Sequence, residues 1–224
     1  MTKPVFVFGA GPQGRVILDI LRSQPSVTVG GFLDDNLDRA PELAGLPVAD
    51  ASEWLDSGPH DAMVVIAIGN NRSRMAAAKR VMDAGYPLYT AIHASAIVAG
   101  QVEIGPGSVL CMQAAIGTGC RLGMNVVINT GTTLDHDSVL EDGAYLSPGV
   151  HSAGGVQVGV NAFIGAGAIL LPGVRVGADA IIGAGSVVLK DVPARSLFHG
   201  TPARMRRIVD ESVDWPRILG GRRR

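Results

Sequence analysis

Aromatic side chains are scarce in this chain, at 4% of 224 residues. With 47% hydrophobic residues and 30 glycines, the interior has to be filled by Val, Ile, Leu and Ala, which suits a narrow core. Cysteine is nearly absent. The only two, Cys111 and Cys120, exclude a disulfide framework. They are expected as reduced thiols of a cytosolic protein, Cys120 facing the core and Cys111 beside it. Charge of either sign is not in excess: the net value is −1, which gives no reason to expect nucleic acid or a membrane surface as partner. No apolar run approaches the roughly 20 residues of a membrane span. The opening MTKPVFVFGAG enters a strand–turn pattern directly and lacks the form of a signal peptide. The length allows one large or two small domains.

What the chain does have is a six-residue beat from Ile92 to Val188. Every sixth position (Ile92, Val98, Ile104, Leu110 and onward through Ile182 and Val188) is aliphatic except Ser152. A small residue or Val stands four places after each, as at Ala114, Cys120, Ser138 and Ala144. Neither a helix nor an alternating strand has this period, and it marks a hexapeptide parallel β-helix. Each hexad makes a short strand and a corner, and three make a triangular coil of about 18 residues stacked at about 4.8 Å. The aliphatic and the small residue point inward. Glycines such as Gly105, Gly117 and Gly165, which follow the aliphatic, are expected at corners with positive φ. Such solenoids are left-handed, against the usual crossover rule.

Residues 4–91 alternate strands and helices, which implies a small parallel sheet. The pattern predicts strands at Val5–Phe8, Val27–Leu33 and Ala62–Ile68, and a short one at Leu88–Ala91. It predicts helices after Gly14 and over 70–84, the latter capped by Asn71 or Ser73. Gly9-Ala10-Gly11-Pro12-Gln13-Gly14 falls between strand and helix, where backbone amides and a helix N-terminus can hold a phosphate. Asp34 and Asp35 follow about 20 residues later, at the place of a ribose- or base-binding carboxylate. A dinucleotide oxidoreductase, a binder of the nucleotide part of another substrate, and a tight turn without ligand all use this pattern. The half-sized unit favours the second.

One polar cluster interrupts the solenoid: Asn129-Thr130-Gly131-Thr132-Thr133-Leu134-Asp135-His136-Asp137. With Leu134 and Ser138 inward, His136 sits at a corner between two carboxylates. A carboxylate on one imidazole nitrogen raises the basicity of the other, as a general base near neutral pH requires. The competing reading is a solvated surface histidine. Three hexads on from His136, one coil further along the stack, stands Gly154, where a backbone N–H suits a developing oxyanion. The nearby break at Ser152 is otherwise a tolerated core irregularity. His93 and His136 are not a whole number of coils apart and His151 lies on another phase, so no metal site is expected. Beyond residue 192 the beat ends and arginines gather, among them Arg195, Arg204, Arg206, Arg207, Arg217 and Arg222–Arg224. Lys190 or Arg204 can serve a phosphate-bearing cofactor.

Together these motifs resemble the nucleotide-sugar N-acetyltransferases of the hexapeptide acyltransferase superfamily, of the bacillosamine and perosamine type, and the related sialic acid O-acetyltransferases. The resemblance runs through Gly9–Gly14, Gly31–Asp35, Ala67–Asn71, Ile92-His93, Asn129–Asp137, Ile182–Ser186 and Gly200–Arg204. It implies a Rossmann-like nucleotide-sugar domain over 1–91, a left-handed β-helix over 92–192 and a tail over 193–224. It implies acetyl-CoA as co-substrate, a nucleotide-linked amino sugar as acceptor and a homotrimer. The sugar nucleotide would lie at Gly11, Pro12, Gln13, Asp34, Asp35 and Gly69. His136 matches the catalytic base, Asp137 its acidic neighbour, Asn129 a residue near the acceptor amine and Gly154 the donor to the thioester carbonyl. Acetyl-CoA would pass Ala166 and Ala184 between subunits. Tyr145 stands where bacillosamine-type enzymes have a second His touching acetyl-CoA. O-acetylation and a non-catalytic nucleotide-binding solenoid are the rival readings.

Overall fold

The computed structural model describes residues 3–36, 38 and 41–209, so Arg217, Arg222–Arg224 and their acidic neighbours Asp210, Glu211 and Asp214 lie outside the described residues. The N-terminal unit runs β1 (Val5–Phe8), α1 (Pro12–Arg22), β2 (Val29–Asp34), β3 (Glu42–Leu43), β4 (Leu46–Asp50), α2 (Ala51–Ser57), β5 (Met63–Ile66) and α3 (Asn71–Asp83). The sheet order is β3-β4-β2-β1-β5, parallel except for the β3–β4 hairpin. The chain leaves β1 toward β2 on one side and later adds β5 on the other. The strand order thus reverses at β1, and in sheets of this kind ligands usually bind beyond the carboxyl ends of the strands at such a point. Helix α1 holds to the sheet because Ile17, Leu18, Ile20 and Leu21 fall on one buried face, the 3.6-residue pattern of an amphipathic helix.

Three elements differ from the sequence expectation. The β3–β4 hairpin turns at Ala44 and Gly45, both with positive φ (53° and 81°), as a two-residue primed turn requires. Helix α2 begins where the Asp50 side chain accepts from the Glu53 N–H at 2.8 Å. Helix α3 is capped by Asn70, whose Oδ1 accepts from the Ser73 N–H at 3.0 Å, rather than by Asn71 or Ser73. That frees Asn71 to reach the solenoid.

From Ala91 onward the chain forms two-residue strands in three parallel ladders. Each rung pairs with the strand three hexads on, as in Ala115↔Thr133↔His151. The coil is the left-handed β-helix that the hexad implied. Its axis is filled by the predicted aliphatics and small residues, from Leu110 and Ala114 through Val188 and Val192. Ser152 also faces in, its hydroxyl donating to the Ala153 carbonyl at 3.1 Å, and so it is a satisfied core polar group.

The glycines sort into two columns, which corrects the expectation for one of them. Positive φ recurs every sixth residue, at Gln101, Gly107, Gln113, Gly119, Asn125, Gly131, Asp137 and onward to Gly185. That column lies three places after the aliphatic and takes Gly, Asn, Asp or Gln. The glycines directly after the aliphatic have another cause. A Cβ at Gly105 would lie 2.5 Å from the Gly123 backbone, and one at Gly165 2.6 Å from the Ala184 nitrogen. There the next coil passes too close for a side chain.

Each ladder presents one outer face. The face carrying Val109, Val127, Tyr145, Phe163 and Ile181 packs against the N-terminal unit in one apolar cluster with Ile17, Ile20 and Val65. The face carrying Ile97, Ala115, Thr133, His151 and Ile169 is open. The third carries Glu103, Arg121, Val139, Gln157 and Arg175. Beyond residue 192 the strand Ser196–His199 adds to the docking ladder beside Ile181–Ile182, and Arg204–Ile208 returns antiparallel to it. The first part of the segment expected as a tail thus extends the solenoid sheet.

Candidate active site

Asp137 occupies the positive-φ column (57°), a conformation that Asp and Asn tolerate because their short polar chains bond locally. This turn brings its carboxylate back onto His136, with Nδ1 and Oδ2 2.8 Å apart. A carboxylate only accepts, so Nδ1 carries the proton and Nε2 holds the lone pair in the neutral ring. On the other flank, Asp135 Oδ1 accepts the His136 backbone N–H at 2.8 Å. Asp137's hydrogen bond, followed by the charge of Asp135, pushes the imidazole pKa upward from its ordinary value. The ring is exposed and lies over Gly154, where a Cβ would come within 2.5 Å of Nε2. Glycine is required there so that the imidazole can lie flat. The stacking is secured by the Gly155 N–H donating to the His136 carbonyl at 2.8 Å. Among the described residues the Gly154 N–H meets no acceptor, as is also true of Ala166 and Ala184 at the neighbouring corner of the coil.

Asn129 lies at the opposite edge of the open face, where the docking ladder turns into it. Its Oδ1 accepts from the Thr130 N–H at 2.8 Å and its Nδ2 donates to Tyr145 Oη at 2.9 Å. A single chain therefore does not bring Asn129 and His136 together. Tyr145 itself is 8% exposed, stacked on Phe163 at 5.3 Å beneath the N-terminal unit. The ring is enclosed by the docking face, and its hydroxyl edge meets Asn129. Lys190 and Arg204 do come together, lining one groove with Leu189 and Phe198 at the far end of the solenoid. Lys190 stands three coils beyond His136 on the same corner, about 14 Å along the stack.

Gly11, Pro12, Gln13, Asp34, Asp35 and Gly69, the residues expected to hold the nucleotide, all follow the carboxyl ends of β1, β2 and β5. Gly9 (φ 119°) and Gly14 are structural, since a Cβ would lie 2.6 Å from the Ala67 oxygen at the first and 2.2 Å from the Gly9 oxygen at the second. Gly11 is the N-cap of α1 and offers no side-chain acceptor, with Pro12 in the first turn. A helix start of this kind keeps donors for an anion. The two carboxylates are already engaged. Asp34 is 9% exposed and accepts the Ala10 and Asn36 N–H groups at 2.7 and 2.9 Å, so it braces the glycine-rich turn. Asp35 is held by both oxygens on Arg80 at 2.8 and 3.0 Å. Arg80 and Ser52, which complete this edge, went unread in the sequence because α2 did.

Residues 4–81 match the PglD N-terminal domain. Residues 113–148 match the hexapeptide repeat of succinyl-transferase, and residues 155–190 the bacterial transferase hexapeptide of six repeats. The fold superposes with a TM-score of 0.87 on a perosamine N-acetyltransferase variant from Caulobacter crescentus solved with CoA and GDP-perosamine, at 35% identity over 92% of this chain and 98% of that one. The acetyltransferase domain of PglB from Neisseria gonorrhoeae FA1090, solved with acetyl coenzyme A, gives 0.86 at 29% identity over 92% of this chain and 100% of that one. A UDP-N-acetylbacillosamine N-acetyltransferase of Bacillus subtilis (strain 168) is 32% identical over 118 residues, 48% of this chain and 51% of that protein. The chain thus spans about half the length of that relative in the match. With a PglD-type domain joined to hexapeptide repeats and near-complete coverage of the Caulobacter protein, the chain belongs to the family of perosamine and bacillosamine N-acetyltransferases.

Proposed function

We propose that the protein transfers the acetyl group of acetyl-CoA to the amino group of a nucleotide-linked amino sugar, of the 4-amino-4,6-dideoxy class. The observation that carries this reading is the His136 corner: a carboxylate-held imidazole with Nε2 exposed over Gly154, beside a backbone N–H without an acceptor. The amine nitrogen attacks the thioester carbonyl carbon, forming the C–N bond. The Gly154 N–H receives the oxyanion charge. Nε2 accepts the proton lost by nitrogen, the C–S bond breaks, and the CoA thiolate leaves with that proton. The Ala166 and Ala184 amides, with Lys190 and Arg204 for phosphate, are the groups assigned to acetyl-CoA. A thiol-release assay across UDP-, GDP- and dTDP-linked amino sugars tests the reading. Release with a hydroxyl sugar alone would establish O-acetylation, and no release with any acceptor would remove the enzyme reading.

The site is assigned to the boundary between copies of a homotrimer. The open face exposes Ile97 at 68% and Ile169 at 42% of their surface, with Leu189 at its rim at 45%. Its two edges carry Asn129 and His136. A closed ring buries that face and sets one copy's Asn129 edge beside the next copy's His136 edge. Catalysis then draws largely on positioning. Sedimentation equilibrium at micromolar concentration is expected to return three times the chain mass; a monomer would remove the shared site.

Gly11 is expected to be the nucleotide's close-approach position. Gly11→Val should raise KM for the sugar nucleotide about tenfold, equivalent to about 1.4 kcal/mol, with KM for acetyl-CoA unchanged. Parallel loss for both substrates would indicate a folding defect instead.

A further inference from the structure

Tyr145 is held by two side chains. Phe163 stacks on the ring at 5.3 Å, and the Arg74 guanidinium lies 5.3 Å from the ring centroid. Arg74 belongs to the first turn of α3, which opens just after Gly69. It is fully buried. Its contacts are neutral: the carbonyls of Gly143 at 2.7 Å, Asn125 at 3.3 Å and Ile68 at 3.4 Å, and Asn71 Oδ1 at 2.9 Å. So the ring's position is set by the N-terminal unit and the solenoid together. Its hydroxyl accepts from Asn129 Nδ2 while Asn129 Oδ1 accepts the Thr130 N–H. Both ends of the Asn129 amide are thus pinned, which defines its orientation. One N–H on nitrogen and one lone pair on oxygen remain for a ligand. Burial pushes the Tyr145 pKa upward, so the phenol stays neutral.

We infer that Tyr145 is a positioning residue for the transfer reaction: it fixes the Asn129 amide so that the remaining Oδ1 lone pair faces the acceptor amine, and Arg74 ties that orientation to the nucleotide-binding unit. The inference rests on the reading of Asn129 as the acceptor-side residue. An amine that gives one N–H to Oδ1 keeps its lone pair aimed at the thioester, and a freely rotating amide would lose that geometry. Tyr145 acts through Asn129 and makes no contact of its own with the acyl donor.

Tyr145→Phe retains the ring, its stack and its cation contact, and removes only the oxygen. We expect kcat to fall about tenfold, the size associated with one hydrogen bond at a reacting centre. KM for acetyl-CoA, the acid limb of the pH–rate profile and the thermal midpoint should hold. In an Asn129→Ala background the same substitution should have no further effect, the signature of two residues acting as one unit. Three results with Tyr145→Phe overturn the inference: wild-type kcat, an undiminished effect in the Asn129→Ala background, or a raised KM for acetyl-CoA, which would make Tyr145 an acyl-donor contact. If Asn129→Ala alone leaves turnover intact, the acceptor-side reading of Asn129 fails and the inference with it. If Asn129→Ala loses turnover and Tyr145→Phe does not, only the inference fails.

Discussion

His136→Ala is expected to lower kcat by about 10²–10⁴, the usual worth of a positioned general base, while KM for both substrates changes little. In the proposed reaction the side chain acts on the acceptor nitrogen, away from the glycine-rich turn and from the Lys190–Arg204 groove. The carboxylates beside it make a pH-dependent companion prediction. Asp137 and then Asp135 raise the imidazole pKa, and the base works only when unprotonated. Activity therefore falls as pH drops through the raised pKa. Removing a carboxylate lowers that pKa, so Asp137→Asn should carry the acid limb to lower pH and reduce the plateau less than His136→Ala does. Asn is the right replacement because the position has positive φ (57°), which Asn tolerates and Ala does not. Gly154→Ala supplies a control from outside the histidine, since its Cβ would stand 2.5 Å from Nε2 and displace the ring. It should approach the His136→Ala loss. Near-full turnover in His136→Ala would leave an amine deprotonated by solvent and positioning as the whole source of catalysis.

The solenoid was legible because its signal is periodic and its cause local. Every inward position from Leu110 to Val192 follows from a six-residue beat that closes every third hexad. The reason for a glycine was not legible, because two columns of glycine look alike in a sequence. Gly119 and Gly131 answer to positive φ, whereas Gly105 and Gly165 answer to the backbone of the next coil, a contact no local pattern reveals. The glycine-rich turn between β1 and α1 was readable from Gly9, Gly11 and Gly14 in their strand–helix context. Helix α2 and the hairpin before it are too short to show a period. Their remaining signals were the Asp50-to-Glu53 spacing of a cap and the Ala44-Gly45 turn. Asp34 matched the ligand-binding position by spacing, and in the folded turn its carboxylate also accepts the Ala10 and Asn36 amides, contacts that no local pattern discloses.

The joint between the two units was least visible of all. In the sequence Asn71 is expected as a helix cap, and Arg72 and Arg74 carry no signal of their own. In the fold they grip one corner of the solenoid, rung by rung. Asn71 donates to the Asn161 and Ala162 carbonyls at 2.9 and 3.2 Å, Arg72 pairs with Asp179 at 3.2 Å, and Arg74 holds Gly143 and Asn125. A polar helix face aimed at carbonyls and one aimed at water have the same composition.

Arg74→Met is therefore expected to lower the stability of the chain by about 2 kcal/mol, the net of orphaned acceptors and relieved charge. These two effects oppose each other. Burial lowers the Arg74 pKa to about 10, so the guanidinium carries a desolvation cost that methionine would relieve, as when buried ions are replaced by apolar side chains. Against this, the Gly143 and Asn125 carbonyls have Arg74 as their hydrogen-bond donor, and each orphaned buried acceptor costs about 1–3 kcal/mol. With further acceptors at Ile68 and Asn71, the lost bonds outweigh the relieved charge. At roughly 2–4 °C per kcal/mol for a chain of this size, the melting midpoint should fall by about 4–8 °C. Arg74→Lys should recover little of it, because an ammonium cannot reproduce the planar fork that spans Gly143, Asn125 and Asn71. Arg74→Met also strips the cation from the Tyr145 face, so kcat should drop in the folded enzyme measured well below its midpoint. A methionine variant as stable as the parent would show that desolvation dominates and that the joint is held by the apolar docking face alone.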